Sequence, residues 1–180
     1  MGKEWSKQTF RSLYDFWRTH ESSLGLNEEE LELMDRYEDI IRMVEGGRIW
    51  PPVASSWRSK FDAALSEVLS RLPQETFNQV ESEIGFILED PSGAILAENV
   101  PAPLAPDAKK LGIDTVVFFR ACLNFAPDAL VGLIAHEIAH SFARGRNYQE
   151  DEAMVVARAR EWGFGRELDC LESAKKAGAS

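Results

Sequence analysis

The sequence predicts an α+β fold, in which a small, mainly antiparallel sheet packs on one strongly apolar helix and further helices surround both. Three observations carry this expectation. Apolar residues recur at helical spacing through most of the first half, β-branched and aromatic runs bounded by turn residues occupy 84–119, and helical signals return from Pro127 onward. The 180 residues fit one domain with a helical extension, so the expected division is 1–50 and 51–180.

Two helices are predicted first. In 4–18, Trp5, Phe10, Leu13, Tyr14, Phe16 and Trp17 recur at mostly helical spacing, and 27–44 repeats the pattern with Leu31, Leu33, Met34, Tyr37, Ile40, Ile41 and Val44. Asn27 followed by Glu30 resembles a capping box, and Gly46-Gly47 is a natural stop. Both helices are too apolar to remain free, which predicts that they pack against the rest. Pro51-Pro52 makes an extended connector. Ser55 or Ser56 then caps a third helix, whose inward stripe is Trp57, Phe61, Ala64, Leu65, Val68 and Leu72. Pro73 suits the first position of a fourth helix, running to about Glu83 with Phe77 and Val80 inward.

The period changes at Ile84. Ile84-Gly85-Phe86-Ile87-Leu88 reads as a strand closing in the turn residues Asp90-Pro91-Ser92-Gly93, so 94–100 is expected to return as its partner. The proline-rich stretch 101–106 is a loop, and Thr115-Val116-Val117-Phe118-Phe119 is the strongest strand by composition.

Composition narrows the function. Hydrophobic residues at 44% and charged residues at 28% exclude wholesale disorder. Thirty acidic against 20 basic side chains give a net charge of -10, which repels phosphate backbones, so nucleic acid is not an expected partner. The apolar run 129–135 is too short to span a bilayer and the first residues lack the apolar core of a secretory signal, so no membrane partner is expected and the expected compartment is the cytoplasm. Cys122 and Cys170, without C-x-x-C spacing, are predicted to be ordinary thiols.

The residues that carry chemistry lie on a helix opened by Ala126-Pro127-Asp128 and stopped at Gly145. Within it stands His136-Glu137-Ile138-Ala139-His140. Residues four apart share a helix face, so the two imidazoles project together and can share a zinc ion, Zn2+. Glu137 follows His136 by one position and can flank a water on the metal as general base without ligating it. The run 129–135 is hydrophobic almost all round, which buries the helix, and buried histidines need partners.

A catalytic zinc takes a third protein ligand. Glu150 is the first candidate, because on a helix it shares a face with Ala153 and Ala157, whose small side chains permit close approach to the histidine helix. The competing role for Glu150 is the third position of a capping box begun by Asn147, and Asp151 and Glu152 are the alternative ligands. Tyr148 is a candidate oxyanion donor, with packing beneath a loop as its competing role. Arg144, Arg146 and Arg158 read as surface or ion-pair residues, His20 as structural and Trp162 as core.

His136-Glu137-Ile138-Ala139-His140, then Glu150-Asp151-Glu152-Ala153 and Trp162-Gly163-Phe164, resemble the H-E-x-x-H and E-x-x-A signatures of gluzincins, including minimal gluzincins and ImmA/IrrE-type peptidases. The resemblance covers about the C-terminal half and implies a zincin-like fold, with zinc on the two histidines and the downstream glutamate. It further implies that the sheet edge lies above the metal and pairs with an extended peptide, and residues 115–119 are the candidate edge. The chain departs from the E-x-x-A-D form at Met154, so Asp151 or a backbone carbonyl must orient a ligand histidine instead. The expected function is zinc-dependent hydrolysis of peptide or protein substrates; the competing reading is a non-catalytic, zinc-stabilised interaction domain.

Overall fold

The computed structural model describes residues 28–45, 49–50, 56–89, 97–100, 114–143 and 151–178. The helix expected over 4–18 lies outside the described residues. The described fold is mostly helical around a four-stranded sheet. In chain order its elements are α1 (Glu28–Glu45), β1 (Ile49–Trp50), α2 (Ser56–Arg71), α3 (Gln74–Glu83), β2 (Ile84–Glu89), β3 (Ala97–Val100) and β4 (Asp114–Phe119). A 3-10 turn (Arg120–Asn124) then leads into α4 (Pro127–Ala143), α5 (Glu152–Glu161) and α6 (Gly165–Gly178).

The helical spacing read from the first half places much of its described apolar stripes inward, although Leu31 of α1 is exposed. Met34, Ile40 and Met43 of α1 are buried, as are Phe61, Ala64, Leu65, Val68, Leu69 and Leu72 of α2 and Phe77 and Val80 of α3. Pro73 stands at the N-cap of α3 rather than at its first helical position. Arg36 pins α1 to the corner between α2 and α3. Its Nη2 donates to the carbonyl of Leu69 at 2.6 Å and to that of Leu72, while its guanidinium lies 4.8 Å from the centre of the Phe77 ring. A cation here meets the free carbonyls at the end of α2. Ile40 and Met43 belong to the same core cluster as Ile134, Ile138 and Phe164, so α1 shares one core with the last three helices.

The sheet corrects the expected mainly antiparallel arrangement. Its order is β1-β2-β4-β3, with β1 and β2 parallel, β2 and β4 parallel, and only β3 antiparallel to β4. The expected hairpin between 84–88 and 94–100 does not form, because β4 lies between the two strands. Turn residues after Leu88 say that the chain changes direction; they do not say which strand it later meets. The burial of β2 carries the better signal. Ile84, Gly85 and Phe86 are buried in succession, as suits a parallel strand covered on both faces. The expected edge at Thr115 to Phe119 is corrected as well, since β4 is paired on both sides and, among the described strands, the edges are β1 and β3. No helix among the described residues is long and apolar enough to cross a membrane.

Helix α4 is held on several sides, packing against α2, α5, α6 and β3. Ahead of it, Lys60 of α2 donates to the carbonyl of Leu123 and, at 2.7 Å, to that of Phe125, fixing the turn from which α4 starts. Its crossing with α6 is close. A Cβ built on Gly132 would stand 2.3 Å from the carbonyl oxygen of Glu167, a contact with backbone that cannot rotate away. Gly132→Ala is therefore expected to destabilise the protein by about 1–3 kcal/mol, the usual cost of overpacking, read as a lower urea midpoint.

Arg71 of α2 reaches the same region, its Nη1 2.8 Å from Glu167 Oε1. Burial alone would raise the Glu167 carboxyl; the hydrogen bond and charge of Arg71 outweigh it and hold the group below its ordinary value. A depressed folded pKa contributes stability that is present above the unfolded value, about 4.3, and is lost as pH falls through the folded one. Glu167→Gln should thus flatten the acid limb of a stability-versus-pH curve and leave its alkaline side unchanged in shape.

Candidate metal centre

The local sequence explains why α4 presents its polar groups inside. Ala129 through Ala135 and Ile138-Ala139 are all buried, so the helix is enclosed and His136, 6% exposed, and Glu137, 8% exposed, are enclosed with it. His140, one turn beyond His136, is half-buried. Four-residue spacing brings the two rings together edge to face, with centroids 4.8 Å apart and planes at 85°. Their Nε2 atoms stand 3.2 Å apart. His136, Glu137 and His140 each offer one ligand atom within 4.8 Å of the others, a group that could hold a metal ion.

Helix α5 brings a further carboxylate. Glu152 Oε1 lies 3.2 Å from His136 Nε2 and Glu152 Oε2 lies 3.8 Å from His140 Nε2. Glu150, expected as the first carboxylate, and Tyr148, expected as an oxyanion donor, lie outside the described residues, as do His20, Arg144 and Arg146. What the structure does correct is the face of α5. Ala153 and Ala157 are exposed, whereas Val155 and Ala159 are buried and Val156 is half-buried. Glu152, Val155, Val156 and Ala159 are spaced as one helix face, and that face packs on α4.

The start of α5 separates the two acidic residues at that end. Asp151 is its N-cap, its Oδ1 accepting from the backbone N–H of Ala153 at 3.0 Å, so Glu152 is the first helical residue. Asp151 is therefore a capping residue, and its carboxylate is turned to its own helix. Asp151 and Glu152 were equal alternatives in the sequence; the apolar residues three, four and seven positions after Glu152 are the signal that separates them.

The remaining candidates take structural positions. Trp162 is buried and meets Phe142 edge to face, with ring centres 5.4 Å apart. Arg158 is exposed and pairs with Glu161 at 3.2 Å. Cys122 and Cys170 are both free, and burial pushes the Cys122 thiol up to about 12. That thiol stays protonated and is not a nucleophile at neutral pH.

Neither protein-family models nor curated proteins nor solved structures match this chain. The functional reading therefore rests on the geometry of α4 and α5.

Proposed function

We propose that the protein is a zinc-dependent peptidase of the gluzincin type, in which His136, His140 and Glu152 hold the metal and Glu137 is the general base. The observation that carries the proposal is the convergence of two imidazole nitrogens and a carboxylate. Two ligands each about 2.05 Å from a tetrahedral zinc stand about 3.3 Å from one another. The Nε2 atoms of His136 and His140 are 3.2 Å apart and Glu152 Oε1 is 3.2 Å from His136 Nε2, close to such an edge, while Glu152 Oε2 stands farther from His140 Nε2, at 3.8 Å. Two nitrogens and one carboxylate suit zinc better than calcium or magnesium, which prefer all-oxygen sites.

When bound, zinc supplies a Lewis acid that makes water acidic near neutral pH and polarises a carbonyl. The chain's own residues do the rest. Glu137, one position after His136 and 8% exposed, stands beside the metal-holding atoms, where its carboxylate would take the proton from the attacking water and return it to the leaving amine. Strand β3, antiparallel to β4, packed against α4 and an edge among the described strands, is the proposed docking edge for an extended peptide. This replaces residues 115–119 as the expected docking edge.

The ligand assignment is tested by metal content. Glu152→Ala is expected to weaken zinc binding strongly, and Asp151→Ala to cost helix stability with little loss of zinc. Retention of zinc in Glu152→Ala with loss in Glu150→Ala would assign the third position to Glu150.

A further inference from the structure

We infer that Arg71 is a positioning residue for the metal site, acting through the corner between α5 and α6 to set the reach of Glu152. The inference rests on the proposed role of Glu152 as a ligand.

The corner is short and fully hydrogen-bonded. Helix α5 ends at Trp162, and Gly163 follows with φ of 90°, a left-handed conformation that glycine adopts without strain. The N–H of Gly163 donates to the carbonyl of Arg160 at 2.9 Å and the N–H of Phe164 to that of Ala159 at 3.1 Å, the paired bonds of a Schellman stop. Phe164 is buried and its carbonyl accepts from Leu168 N at 3.0 Å, so α6 begins at once. With no slack between them, α5 and α6 move together.

One side chain from outside grips this corner at three points. Arg71 Nη2 donates to the carbonyl of Gly163 at 2.9 Å, its Nη1 pairs with Glu167 at 2.8 Å, and its guanidinium lies 4.3 Å from the centre of the Phe164 ring. The carbonyl and the ring belong to the connection and the carboxylate to the start of α6. Arg71 itself is the last residue of α2, which packs on α4. The guanidinium therefore fixes the corner relative to the helix that bears both histidines.

Glu152 and the corner are opposite ends of α5, 10 residues long. Such a helix is a lever of about 15 Å, so a tilt of about 4° at the corner moves the far end by about 1 Å. Zinc–ligand distances tolerate about 0.2 Å. The side chain of Glu152 is 66% exposed, so its position follows the backbone of α5, which Val155 and Ala159 hold against α4 and the corner holds at its far end. The distant anchor sets the tilt that this packing leaves free.

The test measures zinc affinity, by competition with a chromophoric chelator, for Arg71→Met alone and combined with Glu152→Ala, with circular dichroism of the metal-free proteins to verify the fold. Arg71→Met is expected to weaken zinc binding about tenfold, a usual cost of removing a group that supports a ligand, and to cause no further loss once Glu152 is alanine. Arg71→Lys, which keeps a cation for Glu167 but cannot also hold Gly163, is expected to fall between and gives the answer if the methionine variant does not fold. Equal losses in both backgrounds, or unchanged affinity in a folded Arg71 variant, would overturn the inference while leaving Glu152 as a ligand. Undiminished affinity in Glu152→Ala would instead remove the ligand assignment, and the inference with it.

Discussion

In Glu137→Gln, zinc and fold are expected to stay and hydrolysis to be lost. The amide is nearly isosteric with the carboxylate and the residue holds no metal in our account, so the three metal-holding side chains are undisturbed. An amide cannot accept the proton of an attacking water, and loss of a general base costs about 10²–10⁴-fold in rate. Wild type and variant, both supplied with zinc, would receive the same mixture of peptides and unfolded proteins, with products read by mass spectrometry. Cleavage by wild type alone is expected. Equal cleavage by both would assign the base to another residue. Absence of cleavage by either, with zinc bound to both, would favour the zinc-stabilised interaction domain.

A chain that begins at Ser56 is expected not to fold. It lacks α1 and β1, and with them Met34, Ile40 and Met43, each at most 4% exposed, and the Arg36 bonds to the end of α2. Burying three such side chains contributes about 5–9 kcal/mol at about 1.5–3 kcal/mol each, against a total stability of about 5–15 kcal/mol for a typical domain. Far-UV circular dichroism through a urea titration should show no cooperative transition. A cooperative unfolding curve like that of the full chain would separate 1–50 from the core.

The helices and the histidine pair were legible in the sequence because their determinants are local. The stripe through Phe61, Leu65, Val68 and Leu72 is written at helical spacing, and the apolar run before His136 announces an enclosed helix. The four-residue step between His136 and His140 is itself the geometry of the site. Strand pairing is not local. Nothing near Leu88 could disclose that β4, some 25 residues later, would enter between β2 and β3, and a two-residue strand at Ile49–Trp50 has no period to detect. The face of α5 failed for a third reason. A ligand assumed at Glu150 selects Ala153 and Ala157 as the inward face, whereas Val155 and Ala159 are the residues that α5 buries.

The central claim is that α4 and α5 together hold a single zinc, and the direct measurement is the metal content of the purified protein after zinc loading and removal of excess. We expect one zinc per chain in the wild type and none retained in His136→Ala or His140→Ala, with all three proteins folded by circular dichroism. A wild-type protein that binds no zinc, or a folded histidine variant that keeps a full equivalent, would contradict the account.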